Sequence, residues 1–161
     1  MKKIKIKICG QTNPAIIEHC LNIGVNQQGL IFYDKSPRNL DNDTLKIIYQ
    51  YFHQFQDIFV GVFVNPTLEQ IEEKLNIYNI QTIQLHGDEN QGLVDKIKSQ
   101  FQKKIYKSIS PEEFKVTNLK NIDRFLIEAK PDLKEQPGGN NKTWNWSNFE
   151  NPLGHPFILS G

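Results

Sequence analysis

The stretch KIKIKICGQTNP, from Lys3 to Pro14, predicts a β-strand that ends on a cysteine, followed by a loop and a helix. Alternate residues of a strand share a face. One predicted face carries the lysines and the thiol: Lys5, Lys7 and Cys9. The other carries isoleucines that would pack outward against helices: Ile4, Ile6 and Ile8. Thr12 or Asn13 is suited to cap the helix, with Pro14 in its first turn.

The order of strand and then helix continues along the whole chain. Further strands are predicted at 29–33, 58–65, 82–87, 104–110, 124–129 and 156–161. Apolar residues at helical spacing predict helices at 14–23, 45–55, 68–78, 93–101 and 111–119. In the first helix, Ile16, Cys20 and Ile23 are expected to share the apolar face. Strands that alternate with helices predict a parallel sheet joined by right-handed crossovers.

Two architectures fit this alternation, an open doubly wound sheet and a (β/α)8 TIM barrel. Several predicted strands end on polar or reactive residues: Cys9, Asn65, His86 and Glu128. A barrel assembles its site from many strand ends, and no Gly-rich phosphate fingerprint follows the first strand. The sequence therefore predicts one α/β barrel domain over residues 1–161. The barrel is expected to be incomplete, because complete barrels start at about 200 residues.

Composition excludes several classes of partner. The net charge of +1 over 161 residues does not favour nucleic acid or an anionic membrane surface. No apolar run approaches the ~20 residues of a membrane span. The two cysteines do not make a disulfide framework, and we expect no secretory signal because no uninterrupted apolar stretch follows the N-terminal lysines. We therefore expect a cytoplasmic domain.

The alternating lysines have two interpretations. They could lie in water on an edge strand, or they could face the barrel interior together with Cys9. In the second case Lys7 would lie about 7 Å from Cys9, and its charge would lower the thiol pKa from about 8.5 toward neutrality. Such a thiol suits a general base, a nucleophile or a redox group, although no CxxC pair supports redox chemistry.

Motifs in a fixed order give the chain a family resemblance. They are KICGQT (7–12), GLIF (29–32), SPR (36–38), VGVFVN (60–65), IQLHGDE (83–89), FLIEA (125–129), PGGNNKTWNW (137–146) and FILSG (157–161). The set resembles phosphoribosylanthranilate isomerase of tryptophan biosynthesis. The resemblance implies a (β/α)8 barrel and an Amadori rearrangement of N-(5-phosphoribosyl)anthranilate to 1-(2-carboxyphenylamino)-1-deoxyribulose 5-phosphate. It implies no metal and no organic cofactor.

The resemblance also assigns roles to individual residues. Cys9 would be the general base that takes the C2 proton, with Lys7 adjusting its pKa, and Glu128 would be the general acid. Arg38 would hold the anthranilate carboxylate or orient the acid, because a guanidinium fork matches a carboxylate. Further substrate-binding positions are Gln84, His86 and Gly161. Cys20 is expected to be a small core residue.

The sequence departs from the family pattern at three places. Glu128 stands where the family has an aspartate, and its extra methylene changes the reach of the acid. The usual Gly-Gly-Thr-Gly and Phe-Asp-Trp read Gly-Gly-Asn-Asn (138–141) and Trp-Asn-Trp (144–146). The chain ends with the seventh strand, so we expect open barrel edges, poor folding alone, and self-association or a complementing segment.

Two alternatives stay open at this level. One is a barrel remnant that binds a partner or a phosphorylated ligand without turning it over. The other is the related histidine-pathway isomerase, which usually has an aspartate where Cys9 stands.

Overall fold

The chain folds into a curled sheet of parallel strands, as seen in a computed structural model that describes residues 4–129 and 144–160. The described strands are β1 (Lys7–Cys9), β2 (Gln27–Phe32), β3 (Phe59–Phe63), β4 (Thr82–Leu85), β5 (Lys104–Ile109), β6 (Arg124–Ile127) and β7 (Phe157–Leu159). They lie in the order β1 to β7, and each pairs with its neighbours in sequence. A doubly wound sheet would reverse its order at a switch point. The predicted barrel topology is therefore confirmed over seven strands.

Helices follow the first five strands and cover the outside of the sheet. They are α1 (Pro14–Asn22), α2 (Asn42–Phe52), α3 (Leu68–Ile77), α4 (Gln91–Phe101) and α5 (Pro111–Val116), with 3-10 turns at His53–Phe55 and Trp146–Asn148. Asn13 caps α1 by accepting a hydrogen bond from the Ala15 amide at 2.8 Å, as one of the two predicted caps. The fifth helix ends at Val116, before the predicted Leu119. In the part of the chain that the structure describes, no helix has the length and apolar character that crossing a bilayer requires.

The main core lies between the outer face of the sheet and the helices. Fully buried side chains from strands and helices pack there, among them Ile17, Leu30, Leu45, Ile48, Phe59, Ile71, Ile83 and Ile97. The prediction of which residues form the apolar face of α1 is wrong in part. Cys20 is buried, but Ile16 and Ile23 are 54% and 63% exposed and Ile17 is buried instead. Contact with the sheet, rather than the count of apolar residues, sets the rotation of this short helix.

A second cluster fills the inside of the curl. Ile31, Val60, Val62 and Tyr106 form it, with Cys9, Tyr33 and Ile158 packed against them. The Gln27 amide on β2 donates to the Tyr106 hydroxyl on β5 at 3.0 Å. Because β2 and β5 are separated by two strands, this bond requires that the sheet curl back on itself. The interior is therefore packed, and it opens at the carboxyl ends of the strands.

The first strand is much shorter than its alternating sequence predicts. It covers only Lys7–Cys9. Ile4, Ile6 and Ile8 are 84%, 55% and 38% exposed, so the prediction that they pack outward against helices is wrong. This outer face is therefore largely exposed in the described part of the chain, since alternation alone does not supply a packing partner.

Candidate active site

Polar side chains from four strands lie at the carboxyl-end rim of the sheet, and three of them, Ser108, His86 and Glu128, are in contact. Cys9 ends β1, Ser108 lies near the end of β5, and His86 and Glu128 directly follow β4 and β6. All strands are parallel, so these ends open on the same side of the sheet, where barrel enzymes carry their sites. The parallel strands therefore place the predicted strand-end residues at one rim, while the approach of Cys9 to Glu128 stays a prediction.

The Glu128 carboxylate is held by two neighbouring strands. Its Oε1 atom accepts a hydrogen bond from Ser108 Oγ at 2.6 Å, and His86 Nε2 lies 2.6 Å from the same oxygen. The histidine contact is close but is not aligned as a hydrogen bond. The His86 and Glu128 side chains are 11% and 16% exposed. The carboxylate thus reaches from β6 across β5 to the end of β4, a span that uses the length of glutamate.

This environment keeps the carboxyl group ionised. Burial by itself would raise the pKa of Glu128, because it disfavours the charged form. The contact with His86, the hydrogen bond from Ser108 and the positive charge of Lys7 outweigh burial, and the net effect lowers the pKa below its ordinary value of 4.5. A carboxylate at neutral pH is a proton acceptor, so acid catalysis by Glu128 requires a proton source.

Gln84 lies beneath His86 and supports its ring. The Gln84 Nε2 atom is 2.7 Å from His86 Nδ1, and the Gln84 residue is only 1% exposed. Gln84, His86 and Glu128 therefore form one connected series of contacts, in which Gln84 contacts the other side of the histidine ring.

The sulfur of Cys9 lies against β2, at a position where the facing residue is a glycine and has no side chain. Cys9 pairs with Gly29 in the β1–β2 register, and a Cβ atom on Gly29 would lie 2.6 Å from Cys9 Sγ. Cys9 is partly exposed and belongs to the interior cluster. The glycine at this position therefore determines where the thiol can sit.

Arg38 is bound to the segment that carries the thiol. Its Nη1 atom donates to the Cys9 carbonyl oxygen at 2.9 Å. Its side chain lies over Gly10, where φ is +86° and a Cβ atom would overlap the guanidinium. Arg38 is exposed in its loop. The structure thus brings the guanidinium to Cys9, and its contacts do not include Glu128.

Lys7 on β1 acts electrostatically on Glu128, which follows β6. It is partly buried, and its positive charge contributes to the lowered pKa of Glu128. This interaction links a residue of β1 to the residue at the end of β6. Its expected influence on the Cys9 thiol stays a prediction.

A buried ion pair behind the rim was missed at the level of sequence. Lys107 Nζ lies 3.1 Å from Glu89 Oε2, and the two side chains are 5% and 1% exposed. Lys107 also donates to the carbonyls of Gly87 at 2.6 Å and Ser108 at 2.9 Å. Glu89 accepts from the amides of Asn65 at 2.8 Å and Gly87 at 3.0 Å. The pair joins the ends of β3, β4 and β5, and so fixes the segments that carry His86 and Ser108.

Two groups of predicted residues fall partly or wholly outside the structure's description. Gly161 and the Gly-Gly-Asn-Asn motif at 138–141 lie outside the described residues. The Trp144 indole donates to the Ser160 carbonyl at 2.8 Å, which ties the motif's end to the segment after β7. Within 4–129 and 144–160, no group of three or more His, Cys, Asp or Glu side chains is arranged to hold a metal ion.

A curled sheet of parallel strands with a thiol, an imidazole and a carboxylate at its carboxyl rim defines a barrel of the class that performs acid–base chemistry. Residues 6–161 match the family described as N-(5'phosphoribosyl)anthranilate (PRA) isomerase. A relative from Legionella pneumophila (strain Paris), named N-(5'-phosphoribosyl)anthranilate isomerase, is 32% identical over 164 residues, covering 99% of this chain and 76% of that protein. The chain belongs to the N-(5'-phosphoribosyl)anthranilate isomerase family.

Solved structures agree with the fold. The phosphoribosyl anthranilate isomerase of Thermus thermophilus superposes with a TM-score of 0.78 at 20% identity, covering 97% of this chain and 76% of that one. A phosphoribosyl anthranilate isomerase in complex with reduced 1-(o-carboxyphenylamino)-1-deoxyribulose 5-phosphate gives a TM-score of 0.62 at 25% identity, covering 78% and 65%. The first likeness concerns the fold alone.

Proposed function

We propose that this chain isomerises N-(5-phosphoribosyl)anthranilate to 1-(2-carboxyphenylamino)-1-deoxyribulose 5-phosphate in tryptophan biosynthesis. The reaction has no net gain or loss of protons or electrons, so one acid and one base suffice. The observation that carries the proposal is that, in a member of this family, Cys9 packs on the interior cluster and an ionised Glu128 follows β6 within the electrostatic reach of Lys7 on β1, two residues before Cys9. A relative's bound product analogue supports a phosphorylated sugar as the ligand class.

Glu128 is the proposed general acid. In its protonated form it gives a proton to the ribose ring oxygen, the bond from that oxygen to C1 breaks, and the nitrogen lone pair forms a Schiff base at C1. The ring oxygen becomes a hydroxyl group. The hydrogen bond from Ser108 and the contact with His86 hold the carboxyl group toward the interior.

Cys9 is the proposed general base. Its thiolate takes the proton from C2, and the electrons of that bond move toward the iminium nitrogen to give an enolamine. The enolamine then gains a proton at C1 and loses the proton of its C2 hydroxyl, which leaves the ketone. Proton exchange with water returns the thiol and the carboxyl group to their starting states.

Arg38 and the end of β7 are the proposed binding groups. The exposed guanidinium beside Cys9 matches a carboxylate such as that of the anthranilate ring. Gly161 follows β7 and carries over from the family resemblance as a residue on the phosphate side. His86 and Gln84 belong to the acid side through Glu128. We place the enzyme in the cytoplasm.

The test is the conversion of phosphoribosylanthranilate by purified full-length protein. Cys9→Ala and Glu128→Gln should each lower kcat by at least about 100-fold, the usual contribution of a general acid or base. Cys20→Ala is the matched control, since Cys20 is a buried core thiol on α1. It should keep wild-type kcat. Turnover by Cys9→Ala at the wild-type rate would contradict the assigned base, and binding of the product analogue without turnover would favour a non-catalytic remnant.

The open edges of the sheet also carry a proposal. Among the described residues β1 and β7 are the terminal strands of the sheet, and each has one unpaired side. Such edges pair readily with other strands, so we propose that the chain self-associates through them. Analytical ultracentrifugation over a concentration series tests this, and a monodisperse monomer at all concentrations would contradict it.

A further inference from the structure

A series of contacts behind the proposed acid is not used by the two-residue mechanism. It runs from Gln84 through His86 to Glu128, with spacings of 2.7 Å and 2.6 Å. One buried atom in it, Gln84 Oε1, has no hydrogen-bond partner among the described residues, and His86 Nε2 lies 2.6 Å from Glu128 Oε1 without the alignment of a full hydrogen bond. Buried polar atoms without partners are uncommon and call for an explanation.

We propose that His86 is a positioning residue that stores the proton delivered by Glu128, with Gln84 accommodating the imidazole in both of its charge states. The inference rests on the proposed isomerase function. A small rotation of the imidazolium ring aligns its Nε2–H with Glu128 Oε1, 2.6 Å away. The ring then passes that proton to the carboxylate, and Glu128 passes a proton to the ring oxygen of the substrate.

The groups that face Glu128 make His86 the suitable proton source. Three side chains from other strands act on it: Ser108 from β5, Lys7 from β1 and His86 from the end of β4. A serine hydroxyl is not acidic in the physiological range, and a lysine ammonium ordinarily keeps its proton to about pH 10.4. An imidazole ordinarily titrates near pH 6.5, so it can both hold a proton and release it at neutral pH.

The amide of Gln84 explains the unpaired oxygen. With Gln84 Nε2 donating to Nδ1, a neutral imidazole carries its hydrogen on Nε2, which faces Glu128. A doubly protonated ring has a hydrogen on Nδ1 as well. A half-turn of the same amide then places Oε1 against that N–H. One side chain thereby serves both states, and the oxygen is free in one of them.

The proposed steps conserve protons over one catalytic cycle. His86 loses one proton to Glu128, Glu128 passes one to the ring oxygen, and Cys9 takes one from C2. At the end the imidazole lacks a proton and the thiol carries an extra one. Exchange through water restores both, so no co-reactant is needed.

The activity test is the pH profile of kcat for wild type, His86→Gln and the control His19→Gln, whose histidine is exposed on α1. Without His86 the proton must be held by the Glu128 carboxyl group alone, whose pKa is lowered. His86→Gln should therefore move the alkaline limb to lower pH and lower kcat at pH 7.5 by about 100-fold, with KM within about threefold. His19→Gln should match wild type. The limb of the pH profile that reports the proposed base, Cys9, has the opposite slope, since kcat rises with pH as a base loses its proton.

An unshifted alkaline limb in His86→Gln, with wild-type turnover intact, overturns this inference and leaves the isomerase function standing. Absence of turnover in the wild type overturns the proposed function and this inference with it.

A second readout needs no turnover and serves even if His86→Gln does not fold. In protein labelled with 15N-histidine, the neutral His86 ring should be the Nε2–H tautomer, and Gln84→Leu should give a mixture of tautomers. A neutral ring protonated on Nδ1 in the wild type would overturn the proposal, because Nε2 would then present a lone pair to an ionised carboxylate.

Discussion

Gly29 provides a sharp test of where the Cys9 thiol, the proposed base, must lie. A Cβ atom at this position would be 2.6 Å from Cys9 Sγ and 3.2 Å from Cys9 Cα and Cβ. Non-bonded heavy atoms ordinarily approach to about 3.5 Å. The sulfur of a Gly29→Ala variant must therefore move by about 1 Å. The backbone has little freedom to yield, because the Gly29 carbonyl accepts from the amides of Gly10 at 2.9 Å and Gln11 at 3.0 Å.

A displacement of this size has a predictable effect on rate and stability. Misplacement of a catalytic group by about 1 Å can lower the rate by about 100-fold, so kcat of Gly29→Ala should fall by that factor. Overpacking at a buried site costs about 1–3 kcal/mol. Steady-state kinetics with phosphoribosylanthranilate and urea unfolding measure the two effects separately.

Two companion variants separate the clash from the mere presence of a methyl group. Gly92→Ala on α4 is the matched control, because its Cβ would meet only the side-chain oxygen of Asn90, at 3.3 Å. It should keep wild-type kcat. The double variant Cys9→Ala/Gly29→Ala lacks the sulfur, so it should be more stable than the sum of the two single changes by at least about 0.5 kcal/mol. If Gly29→Ala keeps kcat within threefold of wild type, the placement of the thiol argued here is wrong.

Three further outcomes are expected. Lys107→Met should cost about 3–5 kcal/mol of unfolding free energy, because it leaves the Glu89 carboxylate buried without its cation; in urea unfolding, Lys46→Met on an exposed pair should stay within about 0.5 kcal/mol of wild type. Arg38→Met should raise KM for the substrate by about 10-fold or more, since a charged hydrogen bond is worth about 1.5–3 kcal/mol. Because the same guanidinium donates to the Cys9 carbonyl, urea unfolding should also show a loss of about 1 kcal/mol. The carboxyl pKa of Glu128 is lowered in the folded chain, so its ionisation stabilises the fold above about pH 4.5 and this contribution is lost as the pH falls through the lowered value. Denaturant unfolding should therefore show a stability difference between wild type and Glu128→Gln that shrinks as the pH falls below about 5. A difference that grows in acid would reverse the sign argued here.

Local rules account for the parts of the fold that the sequence predicts well. Asn13 caps α1, and Thr67 and Ser110 form capping boxes at α3 and α5, because capping depends on residues within one helical turn. The alternation of strand and helix is equally local, since a parallel strand must return through a crossover. The same rules fail at α1, where Ile16 and Ile17 are neighbours and only contact with the sheet decides which is buried.

The candidate site divides in the same way. Cys9, His86 and Glu128 could be placed on one rim from the sequence, because every strand of a parallel barrel opens at the same end. Ser108 was missed, although it shares a strand face with Tyr106 and alternation would have placed it inside. Gly29 carries no chemistry of its own, and its importance comes only from the register of β1 against β2.

By itself, the amino-acid sequence determined the order of strands and helices, the family, and the strand ends that carry functional groups, because periodicity and motif order lie within short stretches of chain. Only the tertiary structure decided that the Glu128 carboxylate meets Ser108 and His86, and that Lys107 and Glu89 form a buried pair behind them. These contacts join residues 18 to 42 positions apart in the chain. They depend on the register and curl of the sheet, which are properties of all the strands together and of none alone.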